Sequence, residues 1–528
     1  MADNGDLSDE TAEIEMVASE IIRCKATCNH PVLFPGFIPS RLLSVGSKEN
    51  PTLRLISRGE VIVDANWASP SGTPEYAALS YCWGPPEHAL IQCKTERQTL
   101  RDRVHGIQIS EISPVVRDAV AVTRKLGLQY FAHVTIVNLA SSTSQRGFLV
   151  PRTGYFGIKY SMFRQFDAGA GSVETNKTYS YEFLRDWKDS SWSTRGWTFQ
   201  EAKLSTRLVY FGSSKIHFSY GSWLYTEGRS TRANFEQSIV DVAIRNDITN
   251  SINHLLDFWR WALVPQFSSK EFSFSRDKLP AIGGIAKLIG DLTGFQYAAG
   301  LWVPHLFLEL FWYVMPHHST IDALVEALVP GGEDFVAPSW SWARLRAKDF
   351  VRFRMGEWPV EHIVVEASAL KASVQLVGRN PYGQVRAGQL MMTTRVLDLV
   401  PGDGSWYKTR AIGLKSLLLD WEVFDLAKIN ADVELALVGS YTAVPGQLWR
   451  ESERRYYGLV LYSAGYPGRY FRVGVFDVPE SSDYGVAFHD ETYAWQPSEA
   501  ESRSNGAGSW ARPTGTIGGD GFHGSGDF

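Results

Sequence analysis

The sequence predicts an α/β domain over residues 76–201, a mainly helical region over 202–345 and a β-rich region over 346–482. Three observations carry this expectation. A buried-strand pattern at 76–81, a capped amphipathic helix at 113–127 and a second strand pattern at 135–139 alternate as an α/β layer does. Helical patterns dominate from about 232 to 330. Beyond 360 the chain turns to strands such as Ile363-Val364-Val365, Gly458-Leu459-Val460-Leu461-Tyr462 and Arg472-Val473-Gly474-Val475-Phe476.

Residues 1–75 read as an N-terminal extension. Its first 30 residues form a helix with an acidic start, and 31–70 form a loop holding strands at Leu53-Arg54-Leu55-Ile56 and Val61-Ile62-Val63. The strand at 76–81 must stop at Trp83-Gly84-Pro85-Pro86, because proline lacks the ladder donor and restricts its predecessor. Ser113 at the N-cap, Pro114 at the first helical position and Gly127 at the stop delimit the next helix. Val116, Ala119, Val120, Thr123 and Leu126 recur at helical spacing, with Arg117, Asp118, Arg124 and Lys125 on other faces. Leu128-Gln129-Tyr130-Phe131 then runs almost directly into His133-Val134-Thr135-Ile136-Val137-Asn138-Leu139-Ala140. Two strands of one parallel sheet need a connection of a dozen or more residues, and none separates these. Residues 141–192 are polar and irregular. Leu208-Val209-Tyr210-Phe211 and Ile216-His217-Phe218 flank Gly212-Ser213-Ser214-Lys215 as a hairpin, and a helix opens near Asp277 with Pro280 in its first turn. From 483 to 528 the chain is Gly/Ser-rich and expected to be a disordered tail.

Hydrophobic residues make up 44% and charged residues 21%, a globular balance. The net charge of −5, without a Lys/Arg block, excludes an electrostatic grip on nucleic acid. Four cysteines in 528 residues and an acidic start (Asp3, Asp6, Asp9, Glu10) suit a reducing cytoplasm and no secretory signal. The Asn176-Lys177-Thr178 sequon is then accidental. Cys24, Cys28 and His30 lie together without a second pair, and His317-His318 has no ligand spacing around it, so neither is read as a metal site. Residues 297–315 are Leu-, Phe- and Trp-rich, but Pro304, His305 and Glu309 are costly in lipid, so no membrane span is expected. The 18 tryptophans are read mostly as core anchors whose indole N–H needs a fixed partner.

Phosphate-loop, dinucleotide, nucleophile-elbow and zincin motifs are all absent from the sequence. Two unusual blocks stand instead: Tyr76-Ala77-Ala78-Leu79-Ser80-Tyr81-Cys82-Trp83-Gly84, and Arg195-Gly196-Trp197-Thr198-Phe199-Gln200-Glu201. Read in this order, with the helix at 113–127 and the Thr135-Ile136-Val137-Asn138-Leu139 strand between them, they resemble the opening and closing blocks of the fungal heterokaryon-incompatibility (HET) domain. Asp277-Lys278-Leu279-Pro280-Ala281, Ala299-Gly300-Leu301-Trp302, Trp312-Tyr313 and Ala337-Pro338-Ser339-Trp340-Ser341-Trp342-Ala343 look like the region that often follows such domains. One departure stands out. The central block usual in the family, resembling Trp-Ile-Asp-x-x-Cys-Ile-x-Gln with a following helix, is missing at Phe131-Ala132.

The resemblance implies a non-self recognition protein linked to programmed cell death, acting as a signalling or effector module on an unidentified protein partner. On packing grounds Tyr81, Trp83, Trp197 and Phe199 are expected in the core, Gly84 and Gly196 in tight turns, and Arg195 and Glu201 in a local ion pair or cap. Tyr76, Leu79, Ser80 and Gln200 complete the motif set. A proposed distant similarity of HET to TIR domains makes Glu201 the candidate carboxylate for cleaving NAD, which would be a substrate and not a bound cofactor. An inactive remnant is the third reading.

Overall fold

A computed structural model describes residues 6–27, 38–46, 52–63, 76–128, 134–150, 152, 181–221, 223–228, 233–234, 248–314, 320–328, 335–345, 349–354, 360–398, 417–420, 433–443, 452–463, 470–479 and 489–493. The chain divides into two compact units, Met1–Leu255 and Leu256–Phe528. Residues 129–131 of the expected strand at 128–131, the Phe131-Ala132 junction, Cys28, His30, the sequon and His317-His318 lie outside the described residues.

Unit one opens with α1 (Asp6–Thr27), which buries Ile14, Val17, Ile21 and Cys24. Strands β1 (Arg41–Ser44) and β2 (Arg54–Ser57) form an antiparallel pair. The expected strand at Val61-Ile62-Val63 is instead the end of α2 (Arg58–Val63). The cause is a reciprocal cap: Glu60 Oε1 accepts from Ser57 N (3.1 Å) while Ser57 Oγ accepts from Glu60 N (3.4 Å). That capping box overrides the β-branched run.

The main sheet follows, in the order β3 (Ala77–Ser80), β4 (Val134–Asn138), β5 (Arg207–Phe211), β6 (Ile216–Tyr220), β7 (Trp223–Thr226), β8 (Ala233–Asn234). The first three strands are parallel and the rest antiparallel. Between β3 and β4 come α3 (Pro86–Leu90), α4 (Leu100–His105) and α5 (Pro114–Lys125). Between β4 and β5 come α6 (Tyr181–Lys188), α7 (Ser191–Thr194) and α8 (Gly196–Leu204). Strand alternation assigns the two faces. Ala77, Val134, Ile136, Val209 and Phe211 pack with α1 and with Val115, Ala119 and Val122 of α5. Val137, Leu208 and Tyr210 pack on the other face with Phe183 of α6 and Trp192 of α7. The sheet therefore runs past residue 201, where the sequence places the domain boundary, and takes in the expected hairpin as β5–β6.

Two carboxylates, the half-buried Asp118 and the buried Asp186, fasten helices to loops. Asp118 of α5 accepts from the backbone N–H of Phe148 (2.6 Å) and Leu149 (2.9 Å). Asp186 of α6 accepts from Ser213 Oγ (2.8 Å), Ser214 N (3.1 Å), Ser214 Oγ (2.8 Å) and Lys215 N (3.2 Å), and lies 3.1 Å from His217 Nε2. Burial holds the His217 pKa down, and the Asp186 pKa is also lowered, by bonds from His217, Ser213 and Ser214 that outweigh its own desolvation.

Unit two begins within helix Ile248–Phe258, continues as a π-turn at Trp259–Leu263 and helix Val264–Ser268, and includes helix Lys278–Thr293, with Asp277 at its N-cap position and Pro280 in the first turn as expected. The described residues 297–314 hold no long helix. They form β9 (Tyr297–Ala298), β10 (Leu301–Trp302), short helical turns and β11 (Trp312–Tyr313). Ala299 (φ 45°) and Gly300 (φ 99°) make the two-residue loop of the β9–β10 hairpin. Among the described residues, no helix is long and apolar enough to cross a membrane.

The Ser339-Trp340-Ser341-Trp342 run joins these pieces. Trp342 Nε1 donates to Gly300 O (2.9 Å), Trp312 Nε1 donates to Trp340 O (3.0 Å), and Arg344 Nε donates to Ser339 O (2.9 Å). Glu309, fully buried, accepts from Arg260 Nη1 (3.0 Å), and burial pushes its carboxyl up to about 7.

After β12 (Arg352–Phe353), β13 (Val360–Val365), β14 (Ser368–Leu376), β15 (Val385–Asp398), β16 (Leu417–Leu419), β17 (Val433–Ala443), β18 (Glu453–Ser463), β19 (Tyr470–Pro479) and β20 (His489–Tyr493) build one antiparallel sheet. β20 corrects the expectation of a structureless tail from 483 onward. Its five residues pair with Met392–Val396 of β15, so backbone pairing along an available strand decides what the tail's composition does not.

Two predictions follow from this packing. A Cβ at Gly212 would lie 2.0 Å from Asp186 Oδ2, so Gly212→Ala should destabilise unit one by about 1–3 kcal/mol in chemical denaturation. Between pH 4.5 and about 7 the folded chain keeps a proton on Glu309 that the unfolded chain has lost, so this group's contribution to stability falls as pH rises through that window. Glu309→Gln should abolish that component. A stability difference between the two proteins that stays constant from pH 4.5 to 7.5 would refute it.

Candidate functional site

The two sequence blocks meet at Ser80. This residue ends β3 on the face covered by α6–α8 and is buried. Its hydroxyl accepts from Trp192 Nε1 (2.6 Å) and donates to Glu201 Oε2, across 121 positions of sequence. Local chemistry sets both partners. Ser190 caps α7 by accepting from Ser193 N (3.3 Å), which seats Trp192 in the core. Thr198 Oγ1 then donates to Trp192 O (2.6 Å) and Arg195 O (2.9 Å), closing the turn between α7 and α8. Glu201 lies further along α8, and Ser205 Oγ donates to its carbonyl (2.6 Å) while contacting Thr135 Oγ1 of β4 (2.7 Å).

Glu201 exposes much of its surface, yet its carboxyl end is crowded by protein. That desolvation raises its pKa, against the opposing bond from Ser80 and the charge of Arg195. Arg195 thus acts on Glu201 electrostatically, while the hydrogen bond goes to Ser80. Cys82 is buried, and desolvation raises its thiol pKa against the nearby Arg195 guanidinium. A raised thiol is a poor nucleophile at neutral pH.

The tryptophans of the blocks correct an expectation. Trp83 is 46% and Trp197 43% exposed, so neither is a core residue, whereas Phe199 is buried and Tyr81 half-buried with its hydroxyl on Gln92 Oε1 (2.7 Å). Lys94 Nζ sits 5.5 Å from the Trp83 ring centroid, a cation–π contact. Gly84 is in a tight turn as expected: φ is +90°, and a Cβ there would lie 2.6 Å from Thr143 Oγ1. Gly196 instead starts α8, with no positive φ. Trp83 O accepts from Ser144 Oγ (3.1 Å), and His88 Nδ1 contacts Thr143 Oγ1 (2.7 Å), so the loops after β3 and β4 are laced together. Tyr76 packs with Ile38, Leu42 and Ile56, and Leu79 faces the α1–α5 side, so these two brace the strand away from Ser80. Gln200 is half-buried on α8.

Chemically, the arrangement offers one carboxyl of raised pKa, one hydroxyl, a guanidinium and two open indole faces beyond the carboxyl ends of parallel strands, where α/β sheets bind ligands. Trp192 and Thr143 were missed in the sequence. The only signal for Trp192 is its place in the serine-rich turn before Arg195. Cys24 is a core residue, 3.3 Å from Arg207 Nε. Among the described residues, no group of three or more His, Cys, Asp or Glu is placed to hold a metal.

The family described as "Heterokaryon incompatibility protein (HET)" matches residues 76–131. The match covers the first block and α5 and ends at Phe131, the residue where the sequence breaks from the family pattern. No curated protein and no solved structure matches the chain.

Because the Ser80 hydroxyl lowers the Glu201 pKa, Ser80→Ala should move it further up. Carboxyl-carbon NMR titration reads this directly; an unmoved or lowered value would break the assignment.

Proposed function

From the premise that the chain is a HET domain-containing protein, we propose that it acts in heterokaryon incompatibility as a signalling or effector module. In this reading it recognises non-self through a protein partner when incompatible cells fuse, and drives growth arrest or programmed cell death. The observation that carries it is the pair of exposed tryptophans, Trp83 and Trp197, held in the two blocks that Ser80 and Glu201 join. Large aromatic side chains left open in an otherwise well-packed domain suit a protein interface. Nothing in the charge of the chain favours a nucleic-acid partner.

A second reading has its own support. Glu201, with its raised pKa, lies beside the carboxyl end of β3, where a cleavable nucleotide such as NAD would dock. As a reaction, NAD cleavage needs a group that stabilises the ribose as the nicotinamide leaves, and a carboxylate suits that role.

Inducible expression in a fungal host separates the readings. The module predicts toxicity that survives Glu201→Gln and falls at least tenfold, in colony survival, in the Trp83→Ala/Trp197→Ala double variant. Toxicity and NAD turnover that both vanish with Glu201→Gln would favour the hydrolase. No toxicity from the unaltered chain would leave an inactive remnant.

A further inference from the structure

Polar atoms buried without a partner are rare in a folded protein, and each one needs an account. Among the described residues the largest group of them lies in unit two. Trp259 Nε1 and Arg260 Nε on the π-turn, Tyr297 Oη and Trp302 Nε1 on the β9–β10 hairpin, and Glu309 Oε2 at the end of the short helix Leu306–Glu309 have no hydrogen-bond partner. All five side chains are buried. They form one packed group. The Trp302 ring centroid lies 5.7 Å from that of Trp259 and 5.3 Å from that of Tyr297, and Arg260 Nη1 reaches Glu309 Oε1 at 3.0 Å. The backbone N–H groups of Trp302 and Gly300 lie near enough to favour the charged forms of the Glu309 carboxyl and the Tyr297 phenol, yet neither completes a hydrogen bond to Oε2 or Oη.

The chemistry of the group selects what it binds. Three N–H donors and one hydroxyl stand against a single free carboxylate oxygen, so the partner they need accepts readily and still gives at least one proton. A further anion is disfavoured, because Arg260 already serves two carboxylates, Asp257 (2.7 Å) and Glu309. A cation is disfavoured by the same N–H donors. The rings of Trp259, Tyr297 and Trp302 also pack edge-on to one another, which leaves no open cage of faces around a cation. Water is small, neutral and both donor and acceptor, and a buried water typically makes about three hydrogen bonds to otherwise unpaired groups.

We propose that Trp259, Arg260, Tyr297, Trp302 and Glu309 form a built site for ordered internal water in unit two. The water accepts from the two indole N–H groups and from Arg260 Nε, shares a bond with Tyr297 Oη, and donates to Glu309 Oε2. It thereby ties the π-turn to the β9–β10 hairpin and to the helix Leu306–Glu309. The position on a π-turn is in keeping with this, since such turns occur frequently at functional sites. Nothing in the inference rests on the module reading or on the Ser80–Glu201 pair.

The full chain, deuterated and carrying isotope-labelled tryptophan indoles, tests this by magnetisation transfer from water in NMR. The indole N–H signals of Trp259 and Trp302 should show rotating-frame cross-peaks to water with the sign of a through-space contact. Those of Trp312 and Trp342, which donate to Trp340 O (3.0 Å) and Gly300 O (2.9 Å), should show none. Glu309→Gln keeps an oxygen acceptor and should retain the cross-peaks, while Glu309→Leu removes it and should lose them. The absence of water cross-peaks at Trp259 and Trp302 in the unaltered chain would overturn the proposal, as would a folded Glu309→Leu protein with both unchanged. Should Glu309→Leu not fold, the unaltered chain decides alone, with Trp312 and Trp342 as its internal reference.

Discussion

β4 is buried at all five of its residues, and a strand so placed must find backbone partners along both edges. It finds them in β3 and β5, and the organisation of unit one follows from that requirement. β3 is drawn in as the neighbour carrying Ser80, and β5 as the neighbour that leads into the antiparallel half of the sheet. The two faces of β4 then divide the helices, with Ile136 toward α1 and α5 and Val137 toward α6 and α7. The meeting of the two sequence blocks at Ser80 is a product of this geometry, since no local signal brings residue 80 to residue 201.

The local features were legible in the sequence. Ser113-Pro114 and Gly127 delimit α5, whose boundaries agree, although Ser113 makes no side-chain cap bond. Alternation and turn residues gave the β5–β6 hairpin. Legibility ended where a short-range hydrogen bond or a long-range pairing overrode composition. The Ser57–Glu60 cap turned a β-branched run into helix, and the open edge of β15 drew five residues of an apparently structureless tail into a sheet. Within the site, the residue types were visible but their exposure was not. Trp83 and Trp197 look like core residues by type, and only the placement of α8 and of the Gly84 turn leaves them at the surface.

In unit two Trp259, Trp302, Trp312, Trp340 and Trp342 are core residues as expected, but among the described residues the indole N–H groups of Trp259, Trp302 and Trp340 find no hydrogen-bond partner. Trp312 and Trp342 are fully buried, and their indole N–H groups donate to carbonyls of the Ser-Trp-Ser-Trp run and of the β9–β10 loop. Arg472 is buried over the Trp312 ring, 3.4 Å from its centroid, and bonded to Asp420 Oδ2 (2.5 Å). A guanidinium enclosed in this way tolerates no lysine in its place, because a lysine offers neither the planar stack nor the forked donors.

The π-turn at Trp259–Leu263 has a consequence for tracing ancestry. Such a turn amounts to one extra residue accommodated within a helix. A related chain without that residue would keep both the helix and the facing of everything after it, because the wide turn absorbs an insertion that would otherwise rotate the following residues by about 100°. An alignment of this region should therefore need a one-position gap there, and placing the gap elsewhere would mismatch Pro265 and Phe267 with residues of the wrong face.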